Sequence, residues 1–275
     1  MNFSSQVTAI MTVFNEESRI SFTLKSFSWC NQIILIDKCS TDKTIEIAKK
    51  YKNVKIIRNN LEKSNNPFFD EVRLALKHVN TEWVMSMTAS DLITKKLALK
   101  IKNIKASDIT KFNCISLPYK PYFMGINESF SPWDYSKRIS IIRTDNLKIN
   151  QGVHSVLTMS TKPKEYEVKM LDKNEALYHL THENYEGVLD RYFRYLSKES
   201  NDDITLSKQF KYIIRQIIKL VFFKQILFKG KASVALTFSF LSYHMLKYVV
   251  LWDSRHGKGL KTYEDIREKI SNEWN

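Results

Sequence analysis

The chain has 275 residues and a formal net charge of +14, with 43 lysines and arginines against 29 acidic residues. Its hydrophobic content of 43%, with only 6 glycines and 5 prolines, excludes a collagen-like or disordered chain, and its three cysteines contain no CxxC pair that would indicate a disulfide framework or a zinc site. The positive charge predicts an anionic partner, namely nucleic acid, a phospholipid surface or a phosphorylated substrate.

Strands and helices are predicted to alternate through the first 117 residues. Apolar runs predict strands over 7–13, 33–36, 54–57, 83–87 and 114–117, and helical spacing predicts helices over 20–27, 42–51, 68–79 and 97–104. Because strands that alternate with helices pair in parallel through right-handed crossovers, we predict a doubly wound, mostly parallel α/β domain. No GxGxxG or GxxxxGK[ST] loop occurs, which disfavours a dinucleotide-binding Rossmann domain and a P-loop.

The carboxyl ends of parallel strands meet at one edge of a sheet, where small ligands bind in such folds. Polar residues follow the predicted strands at this edge: Phe14-Asn15-Glu16, Asp37, Arg58-Asn59 and Thr88 to Asp91. We therefore predict that this rim carries the binding site.

Aromatic residues crowd the region after Pro118, including Tyr119, Tyr122, Phe123, Phe130, Trp133 and Tyr135. They would suit stacking on a sugar, and ordinary packing beneath a long loop is an equal alternative. A strand is predicted over 137–143, and a hairpin over 156–160 and 166–170 follows a turn at Gly152-Val153-His154-Ser155.

The tail has no acidic residue between Asp203 and Asp253. Lys211, Arg215 and Lys219 are spaced four apart on one predicted helical face, and isoleucines occupy the other. Basic amphipathic helices of this kind lie in the membrane interface, although helices packed on the first domain with their lysines in water would give the same pattern. The uncharged run over 232–246 is shorter than the roughly 20 residues that span a bilayer.

The rim motifs resemble those of family-2 inverting glycosyltransferases, in particular the bacterial branch that adds a hexose to lipopolysaccharide core or other surface glycans. Phe14-Asn15-Glu16-Glu17 follows the first strand, and Asp37-x-x-Ser40-Thr41-Asp42-x-Thr44 follows the second. A weaker resemblance continues through Gly152-Val153-His154 and 227–252. The resemblance implies a GT-A type catalytic domain over 1–180. The charge pattern of the tail predicts a basic, helical appendage at a membrane surface over 181–275.

The resemblance also implies a UDP-sugar donor site. Phe14 would flank or stack on the base, Glu16 would approach the uridine, and Asp37 would accept a hydrogen bond from the uracil ring. Arg73 would face the base or the diphosphate, and Thr12 and Ser90 complete the implied set. The alternative role for Asp37 is that of a turn or helix-capping residue. For Asp42, the helix-capping role is the favoured interpretation.

The metal motif departs from the family. Thr88-Ala89-Ser90 replaces the Asp-x-Asp that holds a divalent cation, and Asp91 is the carboxylate that remains. Because Mg²⁺ can be bound by one carboxylate with substrate phosphates and waters, the resemblance implies Mg²⁺ or Mn²⁺ at Asp91. Lysine or arginine could neutralise the diphosphate instead, and Asp91 could cap the next helix.

The catalytic base departs as well. The family's His-Glu is here His154-Ser155, so the candidates to accept the acceptor's proton are His154 and Asp134. The predicted function is hexose transfer from a UDP-sugar to a lipid-linked or lipopolysaccharide acceptor, on the cytoplasmic face of an anionic membrane. The alternative is a catalytically silent relative that binds a nucleotide, glycan or partner enzyme. Nucleic-acid binding lacks a recognisable module.

Overall fold

The computed structural model describes residues 3–59, 67–127, 136–149, 157–172, 174–199, 204–223, 226–257 and 259–273. The strands are β1 (Val7–Val13), β2 (Gln32–Asp37), β3 (Val54–Arg58), β4 (Trp83–Met87), β5 (Asp91–Ile93), β6 (Cys114–Phe123), β7 (Lys137–Arg143), β8 (Leu147–Ile149), β9 (Leu157–Met159), β10 (Glu165–Glu167) and β11 (Leu177–Thr181). The α-helices are α1 (Ile20–Ser26), α2 (Thr44–Ala48), α3 (Pro67–Leu76), α4 (Lys95–Lys102), α5 (Ala106–Ile109), α6 (Tyr185–Glu199), α7 (Leu206–Ile218), α8 (Lys231–His256) and α9 (Gly259–Asn272).

The main sheet has the order β3-β2-β1-β4-β7-β6-β11-β5, with β10 paired to β6. β1 is parallel to β2 and β4, and β2 is parallel to β3, which forms the predicted doubly wound half. β7 runs antiparallel between β4 and β6, and β5 runs antiparallel to β11. The predicted fold class, a mostly parallel α/β sheet followed by helices, is confirmed.

Strands β1 and β2 are apolar along nearly their whole length because both faces of the sheet are covered. Ile33 and Leu35 belong to the larger core, which also contains Leu24 of α1, whereas Ile34 and Ile36 belong to a second core that contains Ala75 of α3. Helices on both faces therefore fix these strands, and their carboxyl ends meet at one rim.

The predicted hairpin over 156–160 and 166–170 is wrong. β9 pairs antiparallel with β8, and β10 pairs in parallel with β6. Asn113 explains the difference, since its Nδ2 donates to Lys162 O at 3.0 Å and its Oδ1 accepts from Lys164 N at 2.7 Å. These bonds align the chain beside β6, so it does not return along β9.

The described residues fall into two compact units, the second of which contains the chain from Asn184 onward; the predicted boundary lies between 180 and 181. In the second unit, Tyr192 Oη donates to Ser239 O at 2.8 Å and Gln209 Nε2 donates to His244 O at 3.0 Å, which ties α6 and α7 to α8. Within the described chain, α8 alone is long and apolar enough to cross a membrane by length and composition, a property that core helices of soluble proteins share.

Candidate functional site

The strand order places a topological switch point between the ends of β1 and β4, where a crevice is expected. The chain runs from β1 outward to β2 and β3 and then returns to place β4 on the other side of β1. Ligands bind at such a switch point, because the loops that follow the two central strands diverge there. One wall of the crevice therefore follows β1 and β2, and the other follows β4.

Asn15 ties the loop after β1 to the loop after β2. Its backbone N–H donates to Ser40 Oγ at 3.1 Å, and its Oδ1 accepts from Thr41 N at 2.8 Å. Its φ of 53° lies in the left-handed region, which asparagine tolerates better than most residues. The residue type is thus set by both backbone geometry and its contacts.

Two glutamates continue this connection. Glu16 N donates to the buried Thr44 Oγ1 at 2.7 Å, and Glu17 N donates to Asp42 Oδ2 at 3.0 Å. In return, Lys43 N donates to Glu17 Oε2 at 2.9 Å. The two sequence motifs therefore fold as one interlocked structure.

Asp42 lies at the entrance to α2, which begins two residues later than the predicted residue 42. Its Oδ1 accepts from Thr44 N at 2.9 Å, in addition to the bond from Glu17. Desolvation raises the pKa of Asp42, but these hydrogen bonds outweigh it and hold the pKa below its usual value. Both carboxylate oxygens of Asp42 therefore serve to fix the backbone of this loop.

Thr44→Val is expected to destabilise the fold by about 1–3 kcal/mol, because it leaves the Glu16 N–H without its acceptor. Urea denaturation measures the effect. Thr41→Val is the matched control: Thr41 is exposed and its hydroxyl makes only a 3.4 Å contact to Asn15, so a change within about 0.5 kcal/mol is expected. Equal losses of stability in the two variants would contradict the role of the Glu16–Thr44 hydrogen bond in joining the two loops.

Asp37, the last residue of β2, has a carboxylate of which only one oxygen is held by the described chain. The residue is 2% exposed, and its Oδ1 accepts from Ser40 N at 2.9 Å. Among the described residues, no donor contacts Oδ2. The carboxylate is therefore held in one orientation through Oδ1.

Phe14 and Asp37 lie at neighbouring strand ends, since Val13 pairs with Asp37 in the sheet. Phe14 is 51% exposed, which leaves its ring available for stacking. Thr12 is half-buried near the end of β1, and the Glu16 carboxylate forms an ion pair with Arg19.

The other predicted residues are less closely gathered. Arg73 is exposed on α3 and forms no ion pair with another described residue. Ser90 is buried after β4, where its carbonyl accepts from Leu180 N at 2.8 Å. His154 and Asp134 lie outside the described residues.

Glu71 is a rim residue that sequence reasoning missed. It is 1% exposed, its Oε1 lies 3.1 Å from Lys38 Nζ, and it accepts from Asn59 Nδ2 at 2.9 Å. It thereby links α3 to the residues that follow β2 and β3. The available signal was its position four residues before the apolar Ala75, on the inward face of α3.

Asp91 is fully buried, and both of its oxygens are engaged. Oδ1 lies 2.8 Å from His179 Nδ1, and Oδ2 accepts from Thr88 N at 2.7 Å and Thr88 Oγ1 at 3.1 Å. Burial raises its pKa, but the hydrogen bond with His179, the nearby Arg138 charge and the Thr88 amide lower it below the usual value. Asp91 does not cap α4, whose first turn is capped by Thr94.

The residues around Asp91 do not fit a divalent cation. A metal ligand needs an accessible oxygen, whereas this carboxylate is enclosed by its protein partners. The described part of the chain contains no group of three or more His, Cys, Asp or Glu side chains that could hold a metal ion. Thr88 and Ser90 offer hydroxyls where the family has carboxylates.

Comparison with known proteins identifies several relatives. The profile of glycosyl transferase family 2 matches residues 8–159. The SPbeta prophage-derived glycosyltransferase SunS of Bacillus subtilis is 29% identical over 122 residues, which cover 43% of this chain and only 28% of SunS. An uncharacterized glycosyltransferase of Rickettsia bellii is 22% identical over 216 residues, covering 75% of this chain and 70% of that protein.

Among solved structures, the chain is similar to S. aureus TarS 1–349 in complex with UDP-GlcNAc, at 15% identity and a TM-score of 0.42 over 92% of each chain. Glucosyl-3-phosphoglycerate synthase from Mycobacterium tuberculosis, in complex with Mn²⁺, UDP and glucosyl-3-phosphoglycerate, covers 52% of this chain and 58% of its own. Its identity is 10% and its TM-score is 0.34.

Proposed function

The chain belongs to glycosyl transferase family 2, and on that premise we propose that it transfers a hexose, with inversion, from a UDP-sugar to a lipid-linked or lipopolysaccharide glycan. The observation that carries the proposal is the Asp37 carboxylate, which is buried at the carboxyl end of β2, is oriented by Ser40 through one oxygen, and lies at the strand end next to the exposed Phe14.

Base recognition follows from this geometry. Uracil carries a hydrogen on ring nitrogen N3, which Asp37 Oδ2 would accept, while the Phe14 ring would stack on the base. Cytosine lacks that hydrogen, and a site built around a ring N–H rejects analogues without it. The donor is therefore a uridine nucleotide.

The transfer itself is a direct displacement. The acceptor oxygen bonds to the anomeric carbon as the bond to the diphosphate breaks, and a base takes the acceptor's proton. His154 and Asp134 remain the predicted candidates for that base. The divalent cation expected from the resemblance forms no part of this proposal, because Asp91 does not fit as its ligand.

Turnover of a UDP-sugar panel tests the proposed activity. We expect UDP release from UDP-glucose, UDP-galactose or UDP-GlcNAc that depends on added bacterial glycolipid, together with incorporation of the sugar into that glycolipid. UDP binding without turnover of any donor would instead support a catalytically silent relative.

Helix α7 supports a location at an anionic membrane surface. Phe210, Ile214 and Ile218 of α7, and Phe222 in the helical turn that follows it, are exposed at a spacing of four residues. Each of the first three is followed by an exposed cation, namely Lys211, Arg215 and Lys219. An exposed apolar stripe beside a basic one fits the boundary between acyl chains and anionic headgroups.

Replacing Lys211, Arg215 and Lys219 together by alanine is expected to weaken binding to phosphatidylglycerol vesicles about a hundredfold, since each cation contributes about 1 kcal/mol. Co-sedimentation measures the binding. The control replaces Lys49, Lys52 and Lys95, three exposed lysines of the first unit, with the same change in charge. Equal losses in the two triple variants would contradict a specific membrane face.

A further inference from the structure

Arg138 is held at the β4 side of the crevice by three contacts. Its Nη2 donates to Ser86 O at 3.1 Å, its Nη1 lies 3.6 Å from Asp91 Oδ1, and its guanidinium carbon lies 5.0 Å from the centre of the Tyr119 ring. The side chain nevertheless remains 31% exposed. A guanidinium has five N–H donors, so these contacts leave donors for a ligand.

Asp91 and His179 form the support behind this arginine. They face each other across β5 and β11, which pair in register at these two residues. His179 holds Asp91 Oδ1 from one side, and Thr88 holds Oδ2 from the other. The buried carboxylate is therefore immobilised, and the oxygen that faces Arg138 has a fixed position.

The position of Arg138 relative to the sheet indicates its ligand. Ser86 lies near the carboxyl end of β4, and the Thr88–Ser90 loop follows directly. A nucleotide whose base contacts Asp37 on the β1 and β2 side would extend its diphosphate toward this opposite wall. The loop there carries hydroxyls and no free carboxylate, so a phosphate group would meet no repulsion from it.

Resting on the proposed function, we infer that Arg138 binds the diphosphate of the donor, and that Asp91 and His179 are positioning residues for it. When the bond between the anomeric carbon and the β-phosphate oxygen breaks, its electron pair stays on that oxygen. The acceptor oxygen forms the new bond to carbon and gives its proton to a base outside this cluster. The diphosphate gains one negative charge, which a preoriented guanidinium stabilises.

Calorimetric titration with UDP and with uridine, in the presence of a chelator, tests the inference. The wild-type chain is expected to bind UDP at least about tenfold more tightly than uridine. Arg138→Ala should lower the UDP affinity about tenfold to a hundredfold and leave uridine binding unchanged, because only the charge-assisted bonds to phosphate are lost. Arg143→Ala is the control, since Arg143 lies on the same strand, is 30% exposed and pairs with Asp145.

The outcomes separate this inference from the proposed function. An unchanged UDP-to-uridine ratio in Arg138→Ala, or equal wild-type affinities for the two ligands, would overturn the role of Arg138 while uridine binding supports the donor site. Wild-type protein that binds neither ligand would overturn both proposals.

Two further variants test the positioning. Arg138→Lys keeps the charge but loses the planar fork, so its UDP affinity should lie between those of the wild type and Arg138→Ala. His179→Gln should lower the UDP-to-uridine ratio by a smaller factor than Arg138→Ala. Equal weakening of UDP and uridine binding in His179→Gln would indicate a merely structural role for His179. If His179→Gln does not fold, the affinities of Arg138→Lys provide the test.

Discussion

Asp37→Asn is expected to lower the affinity for UDP about tenfold to a hundredfold and to reduce the preference for UDP over CDP. A hydrogen bond to a charged group contributes about 1.5–3 kcal/mol, and 1.4 kcal/mol corresponds to about tenfold in affinity. In the variant, the amide oxygen keeps the bond from Ser40 N, and the amide NH₂ takes the place of Oδ2. The amide NH₂ would then face the N3–H of uracil, donor against donor, but it could donate to the N3 lone pair of cytosine.

Calorimetric titration with UDP and CDP measures this change. Asp42→Asn is the matched control, because Asp42 lies in the same loop and both of its oxygens accept backbone N–H groups. It should lower the stability of the fold and leave the UDP-to-CDP ratio unchanged. The assignment of Asp37 fails if Asp37→Asn keeps the wild-type ratio, or if Asp42→Asn changes the ratio to the same extent.

Asp91→Ala is expected to lower the free energy of unfolding by about 2–4 kcal/mol at neutral pH. The change removes a buried acceptor from His179 and from the Thr88 amide, and breaking a buried, hydrogen-bonded charge cluster is among the costly single substitutions. The estimate is below the upper range for buried ion pairs because Arg138 is 31% exposed and can be solvated.

The contribution of Asp91 to the free energy of unfolding should depend on pH. Because the pKa of Asp91 is lowered in the folded state, its contribution is present above the unfolded pKa of about 3.9 and is lost as the pH falls through the lower folded value. The difference between wild type and Asp91→Ala should therefore shrink below about pH 4.

Urea denaturation of both proteins at neutral and acid pH measures the two effects. Asp108→Ala serves as the control, since Asp108 is exposed and a change within about 0.5 kcal/mol is expected. A loss in Asp91→Ala no larger than in this control would contradict the structural role of Asp91.

The sequence predicted the elements whose residues are buried on both faces. β1, β2 and β4 consist mostly of apolar, buried residues, and their ends carry the polar residues of the rim. Asp37 could be located for the same reason. Its hydrogen bond from Ser40 is local, three residues along the chain.

The features that the sequence could not predict depend on contacts between residues far apart in the chain. Asp91 and His179 are 88 residues apart, and the short β5 and β11 that bring them together have no pattern of their own. Because the sequence does not reveal that pairing, it indicated a metal ligand or a helix cap at Asp91. The false hairpin has a similar origin, because Asn113 directs β10 to β6 across about fifty residues.

Titration of the wild-type chain with UDP, CDP, ADP and GDP is the most direct test of a uridine-nucleotide site at the ends of β1 and β2. The predicted result is that UDP binds at least about tenfold more tightly than the other three, because cytosine and adenine have no ring N–H for Asp37 and the N1–H of guanine lies farther from the ribose than the N3–H of uracil. Equal affinities for all four nucleotides, or no UDP binding up to millimolar concentration, would contradict it.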